Sequence, residues 1–253
     1  IHRNIHKEIG VTTMSNKIFY FTGTGNSQQI AQDISAGIGE TELIKINNET
    51  KTELLTDDVV GIVFPVYNWN MPLVVEKFIE QLKISTNTYV FVVADCGNFA
   101  GRAIDEAQII LNKNGKKLNS GFIIKMPGNY IVMYGAMSEN SQKKSFEKEK
   151  TKANTIISII KTREDKPIEK SKAIFDRAFA GKFHDNMVIN LNKQDINFNV
   201  NGNCTSCGLC EKICPVGNIK MISGKPDWNH HCEMCVACIQ HCPTKSINYA
   251  TQT

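Results

Sequence analysis

The stretch Lys17–Ala36 reads KIFYFTGTGNSQQIAQDISA. It opens on Ile18–Phe21, a short apolar and aromatic run that predicts a buried strand. Its second half, Ser27–Ala36, places Ile30, Ala31 and Ile34 on one face of a helix. Between the two lies Thr22-Gly23-Thr24-Gly25-Asn26-Ser27. Glycines let backbone N–H groups curl around an anion, the hydroxyls and the Asn amide add donors, and the helix N-terminus adds partial positive charge. The loop carries no lysine, so it is not the G-x4-G-K-[ST] loop, and it lacks the G-x-G-x-x-G spacing of a dinucleotide site. It suits a phosphate held by neutral donors.

Working outward, Glu42–Ile46 reads as a short strand and Val59–Phe64 as a continuous apolar one. Leu73–Leu82 is helical, with Val74, Phe78 and Leu82 spaced by four. Tyr89–Ala94 is another buried strand, Arg102–Leu111 a helix and Gly121–Lys125 a fifth strand. Apolar runs without alternation indicate strands covered on both faces, with the helices as crossovers. The expected fold is α/β: a doubly wound, parallel, five-stranded sheet whose ligand lies outside the carboxyl ends of the strands. Two more loops belong at those ends. Phe64–Pro72 contains Pro65, Val66, Tyr67, Asn68 and Trp69; the other, 95–101, contains Asp95, Cys96, Gly97, Asn98 and Phe99.

From Lys17 to Met126 this layout resembles the flavodoxin family. The resemblance implies FMN, with Thr22–Ser27 around its phosphate and the two later loops on either side of the isoalloxazine. Tyr67 and Trp69 are then the stacking candidates, with Phe99 behind them. For Cys96 a plain role as a small buried residue at a strand end weighs at least as much as flavin contact.

Nine cysteines occur in 253 residues, and eight of them fall between Cys204 and Cys242. Cys204, Cys207, Cys210 and Cys214-Pro215 form C-x2-C-x2-C-x3-C-P, and Cys232, Cys235, Cys238 and Cys242-Pro243 repeat it 28 residues later. The same shift brings Ile219 onto Ile247, so two pseudo-symmetric halves are expected. In this pattern the fourth cysteine serves the other half's cluster. One [4Fe-4S] cluster then takes Cys204, Cys207, Cys210 and Cys242; the second takes Cys232, Cys235, Cys238 and Cys214. The segment is too poor in apolar residues to hold by core burial, and the crossed clusters supply the staple. Structural zinc is the alternative, but paired C-x2-C knuckles would suffice for it. The stretch 202–249 resembles the bacterial two-cluster ferredoxins, a small α+β fold.

The whole layout, including Met126-Pro127-Gly128-Asn129-Tyr130 after the fifth strand, resembles the flavodoxin–ferredoxin fusions known as EFR1-family ferredoxins. The expected division is an extension over 1–13, a flavodoxin-like FMN domain over 14–137, a helical connection and linker over 138–200, and a ferredoxin domain over 201–253. Met14 reads as the natural start, and the preceding residues lack the apolar core of a signal peptide. Without a secretion signal a reducing, cytoplasmic compartment is expected, where cysteines bind metal rather than pair. Ser138–Lys172 reads as a long solvated helix broken at Pro167, followed by a second helix near Ser171–Phe183. Asn190–Asn203, with six asparagines, reads as a linker or a covering strand. His230-His231 are expected to cap the cysteine loop or to bond a cluster sulfur.

A net charge of +4, with 42% hydrophobic and 21% charged residues, argues against disorder and against nucleic-acid binding. No apolar run approaches the roughly 18 residues of a membrane span. The expected function is electron transfer between FMN, two [4Fe-4S] clusters and redox protein partners. An FMN-dependent reductase of a small oxidised substrate is the second reading, and a zinc-binding interaction module the third. A homodimer with docking in trans is as compatible with the sequence as a single chain. No Ser-His-Asp set or paired carboxylates suggest other catalysis.

Overall fold

The computed structural model describes residues 15–171, Asn190 and residues 192–250. Five strands form one parallel sheet in the order β2-β1-β3-β4-β5. They are β1 (Asn16–Tyr20), β2 (Thr41–Lys45), β3 (Val59–Pro65), β4 (Tyr89–Cys96) and β5 (Ser120–Lys125). The sheet is the doubly wound one expected, with each strand within a residue or two of its sequence limits. Strand order reverses beside β1, which places the start of the following helix at the topological switch point.

Alternating side chains divide the interior into two layers. Phe19, Phe21, Ile62, Phe64 and Val92 face one side, where α2 (Leu73–Gln81) and α3 (Ala103–Lys113) cover them. Ile18, Val63, Phe91 and Val93 face the other, under α1 (Asn26–Ile38) and α4 (Glu139–Thr162). Gly61 makes this packing possible, because a Cβ there would stand 2.3 Å from the ring of Phe91. The long helix expected after Ser138 is α4, which buries Ala153, Ile156 and Ile160 and ends at Arg163 in a left-handed turn. Beyond it, Lys166 and Glu169 donate backbone N–H bonds to Asn119 and Gly121. The segment thus covers the free edge of β5, a usual way of blunting an edge strand. The helix expected near Ser171–Phe183 lies outside the described residues.

The Asn-rich segment, read as a linker or a covering strand, contains a paired strand. It forms a 3-10 turn (Asn192–Asn197) and strand β6 (Phe198–Val200), which pairs antiparallel with β9 (Ile247–Tyr249). Strands β7 (Ile219–Ile222) and β8 (Lys225–Trp228) pair in the same way. The two short helices α5 (Leu209–Ile213) and α6 (Ala237–Gln240) start 28 residues apart, as do β7 and β9. Left-handed backbone recurs with the same period, at Ser206 and Met234, Gly208 and Val236, and Gly217 and Lys245. The sequence repeat is therefore a repeat of backbone shape. Its core contains Phe198, Ile219, Met234, Ile239 and Ile247, with Phe198 stacked 5.4 Å from Trp228.

Candidate functional site

The loop Thr22–Ser27 leads from β1 into α1. Gly25 stands at the N-cap with φ 111°, a left-handed geometry that favours glycine, and its N–H donates to Thr22 Oγ1 at 2.9 Å. No side chain caps α1 and no acidic residue lies in its first turn. The helix start thus offers uncapped donors and partial positive charge, which fits a phosphate. Asn26 Nδ2 donates to the Pro127 carbonyl at 3.0 Å, and Asn129 Nδ2 donates to Thr24 Oγ1. The stretch after β5 is thereby laced to the loop.

Ser27 Oγ donates to a carboxylate oxygen of Asp95, at the far end of β4. Both residues are buried, and desolvation pushes the Asp95 carboxyl up to about 6 against the pull of the Ser27 bond. Cys96, next along, is also buried.

Residues Tyr67-Asn68-Trp69-Asn70 close a tight turn. Tyr67 and Asn70 exchange both backbone bonds, at 2.9 and 3.0 Å, and Asn68 and Trp69 are left-handed, the type I′ geometry. The turn lifts Trp69 to 38% exposure, while Phe99 on the neighbouring loop stands 53% exposed. Trp69 O accepts the Arg102 N–H at 2.9 Å, and a Cβ on Gly101 would fall 1.9 Å from that same oxygen. The two loops therefore pack backbone to backbone, with Trp69 and Phe99 left open as flat apolar surfaces. Tyr67 points elsewhere. Its ring meets Phe21 edge-on at 6.1 Å, and its hydroxyl, raised well above the usual phenol range by burial and by Cys235 and Asp95, faces inward.

The eight cysteines of the repeat stand around two hollows. Cys204, Cys207, Cys210 and Cys242 line one; Cys214, Cys232, Cys235 and Cys238 line the other. Each set takes three thiols from one repeat and the fourth from its mate. Among the described residues, no three His, Cys, Asp or Glu side chains gather tightly enough to hold a single metal ion. A thiol shell around a hollow leaves room for a cluster at its centre. The sulfurs also receive N–H bonds at 3.2 Å, from Asn218 to Cys214, from Met234 to Cys232 and from Ser246 to Cys242. Burial pushes the Cys235 thiol up to about 12 and raises Cys232 and Cys238 as well. Such thiols become thiolates through a bond to a cation, which a metal cluster would supply.

The two histidines brace the loop rather than the sulfurs. His230 Nδ1 lies 2.7 Å from Asp195 Oδ1, and His231 Nε2 lies 3.1 Å from the Val216 carbonyl. Buried Asp195 also accepts from Asn218 Nδ2 at 2.8 Å.

The second hollow adjoins the first site. A Cβ on Gly23 would stand 2.6 Å from the Cys235 carbonyl oxygen and 2.9 Å from the Tyr67 hydroxyl. Glu233, 5% exposed, accepts the Leu73 N–H at 3.1 Å and the Val74 N–H at 2.7 Å, at the start of α2. Asn48 Nδ2 donates to Val216 O at 3.1 Å, and Gln240 Nε2 to Asn129 O at 2.5 Å. Val132 is buried in the core of the cysteine-rich unit. Sequence reasoning missed Glu233, Asp195 and Val132, since a single polar or apolar residue in a loop carries no periodic or spacing signal.

The family model of the flavodoxin domain matches residues 17–116, and that of the 4Fe-4S dicluster domain matches residues 203–247. No curated protein matches the chain. Among solved structures it is similar to a flavodoxin of Streptococcus pneumonia TIGR4, at 15% identity over 57% of this chain and 98% of that one, with TM-score 0.41. A two-electron reduced flavodoxin of Megasphaera elsdenii matches at 19% identity over 55% and 99%, with TM-score 0.35. An azoreductase from Bacillus anthracis matches at 8% identity over 58% and 99%, with TM-score 0.38.

Proposed function

Because the chain joins a flavodoxin domain to a 4Fe-4S dicluster domain, we propose that it relays electrons between FMN, two [4Fe-4S] clusters and external redox proteins. Electron transfer by flavin and iron–sulfur groups is the chemistry the two domains share. The observation that carries the two-cluster reading is the sorting of eight cysteines into two four-thiol hollows, each with a crossed fourth member.

When bound, FMN exchanges one or two electrons and each cluster exchanges one, so the pair converts between the two kinds of partner. The protein's own residues hold and insulate. The uncapped start of α1 with Gly25, Thr22 and Thr24 would bind the phosphate. Trp69 and Phe99 offer faces for the ring, and Asp95 holds a proton in a dry site below about pH 6. Backbone N–H bonds to Cys214, Cys232 and Cys242 favour added negative charge on the sulfurs.

The test is purification without oxygen, followed by assays of iron, sulfide and released flavin. The expected result is about eight irons and one FMN per chain. A zinc-loaded, flavin-free protein would overturn the reading.

A further inference from the structure

The two thiol hollows are not equivalent in the assembled chain. The one lined by Cys214, Cys232, Cys235 and Cys238 is the inner: Cys232 and Cys238 are buried, and Cys214 and Cys235 pack against the apolar layer of the five-stranded sheet. Cys235 packs against Gly23, beside the Tyr67 hydroxyl, and both Gly23 and Tyr67 lie in loops that would surround FMN. The hollow lined by Cys204, Cys207, Cys210 and Cys242 is the outer, and Cys207 is exposed to solvent. Between Cys232 and Cys235, one buried side chain reaches across to the sheet domain. Glu233 accepts both first N–H groups of α2, which begins directly after the loop carrying Tyr67 and Trp69. Two N–H donors at a helix start hold the buried carboxyl group in a fixed direction. The contact therefore ties the inner cysteine loop, at the residue next to Cys232, to the helix start four residues beyond Trp69.

We propose that Glu233 is the positioning residue that holds the inner site against the flavin loops, so that electrons reach the flavin from the inner cluster and enter from outside at the outer one. This rests on the reading of FMN and two clusters given above. Each passage moves one electron. An external one-electron reductant is oxidised, and after two passages the flavin has gained two electrons, with protons drawn from water.

The test uses the full holo-protein, with dithionite as reductant and rapid mixing to follow the flavin's visible absorbance. Glu233→Ala removes both acceptors and Glu233→Gln keeps one. Leu73→Pro removes one of the two donors from the opposite partner, at a helix position where proline is well tolerated. The expected result is unchanged iron and FMN content, slower flavin reduction in Glu233→Ala by about tenfold, and a smaller loss in Glu233→Gln and Leu73→Pro. Combining Glu233→Gln with Leu73→Pro should cost less than the two losses together. Hydrogen exchange supplies a readout independent of turnover: the Leu73 and Val74 amides should lose protection in Glu233→Ala. Wild-type flavin reduction in Glu233→Ala, with cofactors intact and those amides exposed, would overturn the proposal. Should Glu233→Ala not fold, Leu73→Pro at the wild-type rate would do the same. A wild-type protein without iron or FMN would instead overturn the functional reading itself.

Discussion

Asp95 is the residue on which the flavin site's behaviour with pH turns. It sits buried where β4 ends, and Ser27 in the first turn of α1 donates to it. Desolvation raises its carboxyl to about 6. A raised carboxyl is neutral in the folded chain below that value and charged above it. Above about pH 6 a carboxylate therefore stands beside the helix start that would hold a phosphate, and like charges in a dry site repel. FMN affinity should fall as pH rises through 6, beyond the change due to the phosphate itself. Asp95→Asn keeps the shape and an acceptor without the charge. It should bind FMN more tightly than wild type at pH 8, on the order of tenfold, and equally at pH 5. Flavin fluorescence titrations at the two values check this, and an identical ratio at both would refute it. At the cradle itself, Thr24→Glu puts a carboxylate at the phosphate position and should reduce FMN occupancy steeply, as measured by released flavin.

At the scale of elements, α1 and α4 cover one face of the sheet, and a pair of acids lies between them. Glu149 on α4 is 2% exposed and lies beside Asp33 on α1. Burial first, then the Asp33 charge, raises the Glu149 carboxyl from its ordinary 4.5 to about 7. In that interval the folded chain keeps a proton that the unfolded chain releases. Stability from this group is therefore full below about 4.5 and lost as pH rises through 7. Glu149→Gln supplies a permanent donor in the same place. It should be more stable than wild type at pH 8 by about 1 kcal/mol, with little difference at pH 5. Urea melts at both values measure it; a pH-independent difference would mean that the α1–α4 contact does not depend on a shared proton.

For the whole molecule, the decisive fact is that the cysteine-rich unit is seated on the carboxyl ends of the parallel sheet. Val132 enters one core from the other's chain segment, and Val216 does the reverse. Covalent fusion alone would raise the effective concentration of one unit near the other. Specific seating goes further and fixes which thiol set faces the flavin loops. Chemically reduced clusters should thus reduce FMN much faster in the intact protein than in a dilute mixture of residues 15–171 and residues 192–250. Rapid-mixing kinetics decide between a wired assembly and mere co-expression, since equal rates would leave the fusion no role in transfer.

Much of this was legible from residue order alone. Apolar runs in Val59–Phe64 and Tyr89–Ala94 specify strands buried on both faces, because only a covered parallel sheet tolerates such continuity. The cysteine spacing marks the 4Fe-4S dicluster domain, since thiols three apart on a loop can turn onto one centre. Those are local signals, carried by neighbours within a few residues. What only tertiary structure decided is how the two units meet. Gly23 reads as part of an anion loop, yet its missing Cβ also makes room for the Cys235 carbonyl, more than 200 residues away. Tyr67 reads as a stacking ring, yet its hydroxyl turns toward that same contact. Glu233 reads as a spacer between cysteines, yet it is buried on the amides of α2. Each of these depends on a partner distant along the chain, and burial of one surface against another leaves no periodic mark in either sequence.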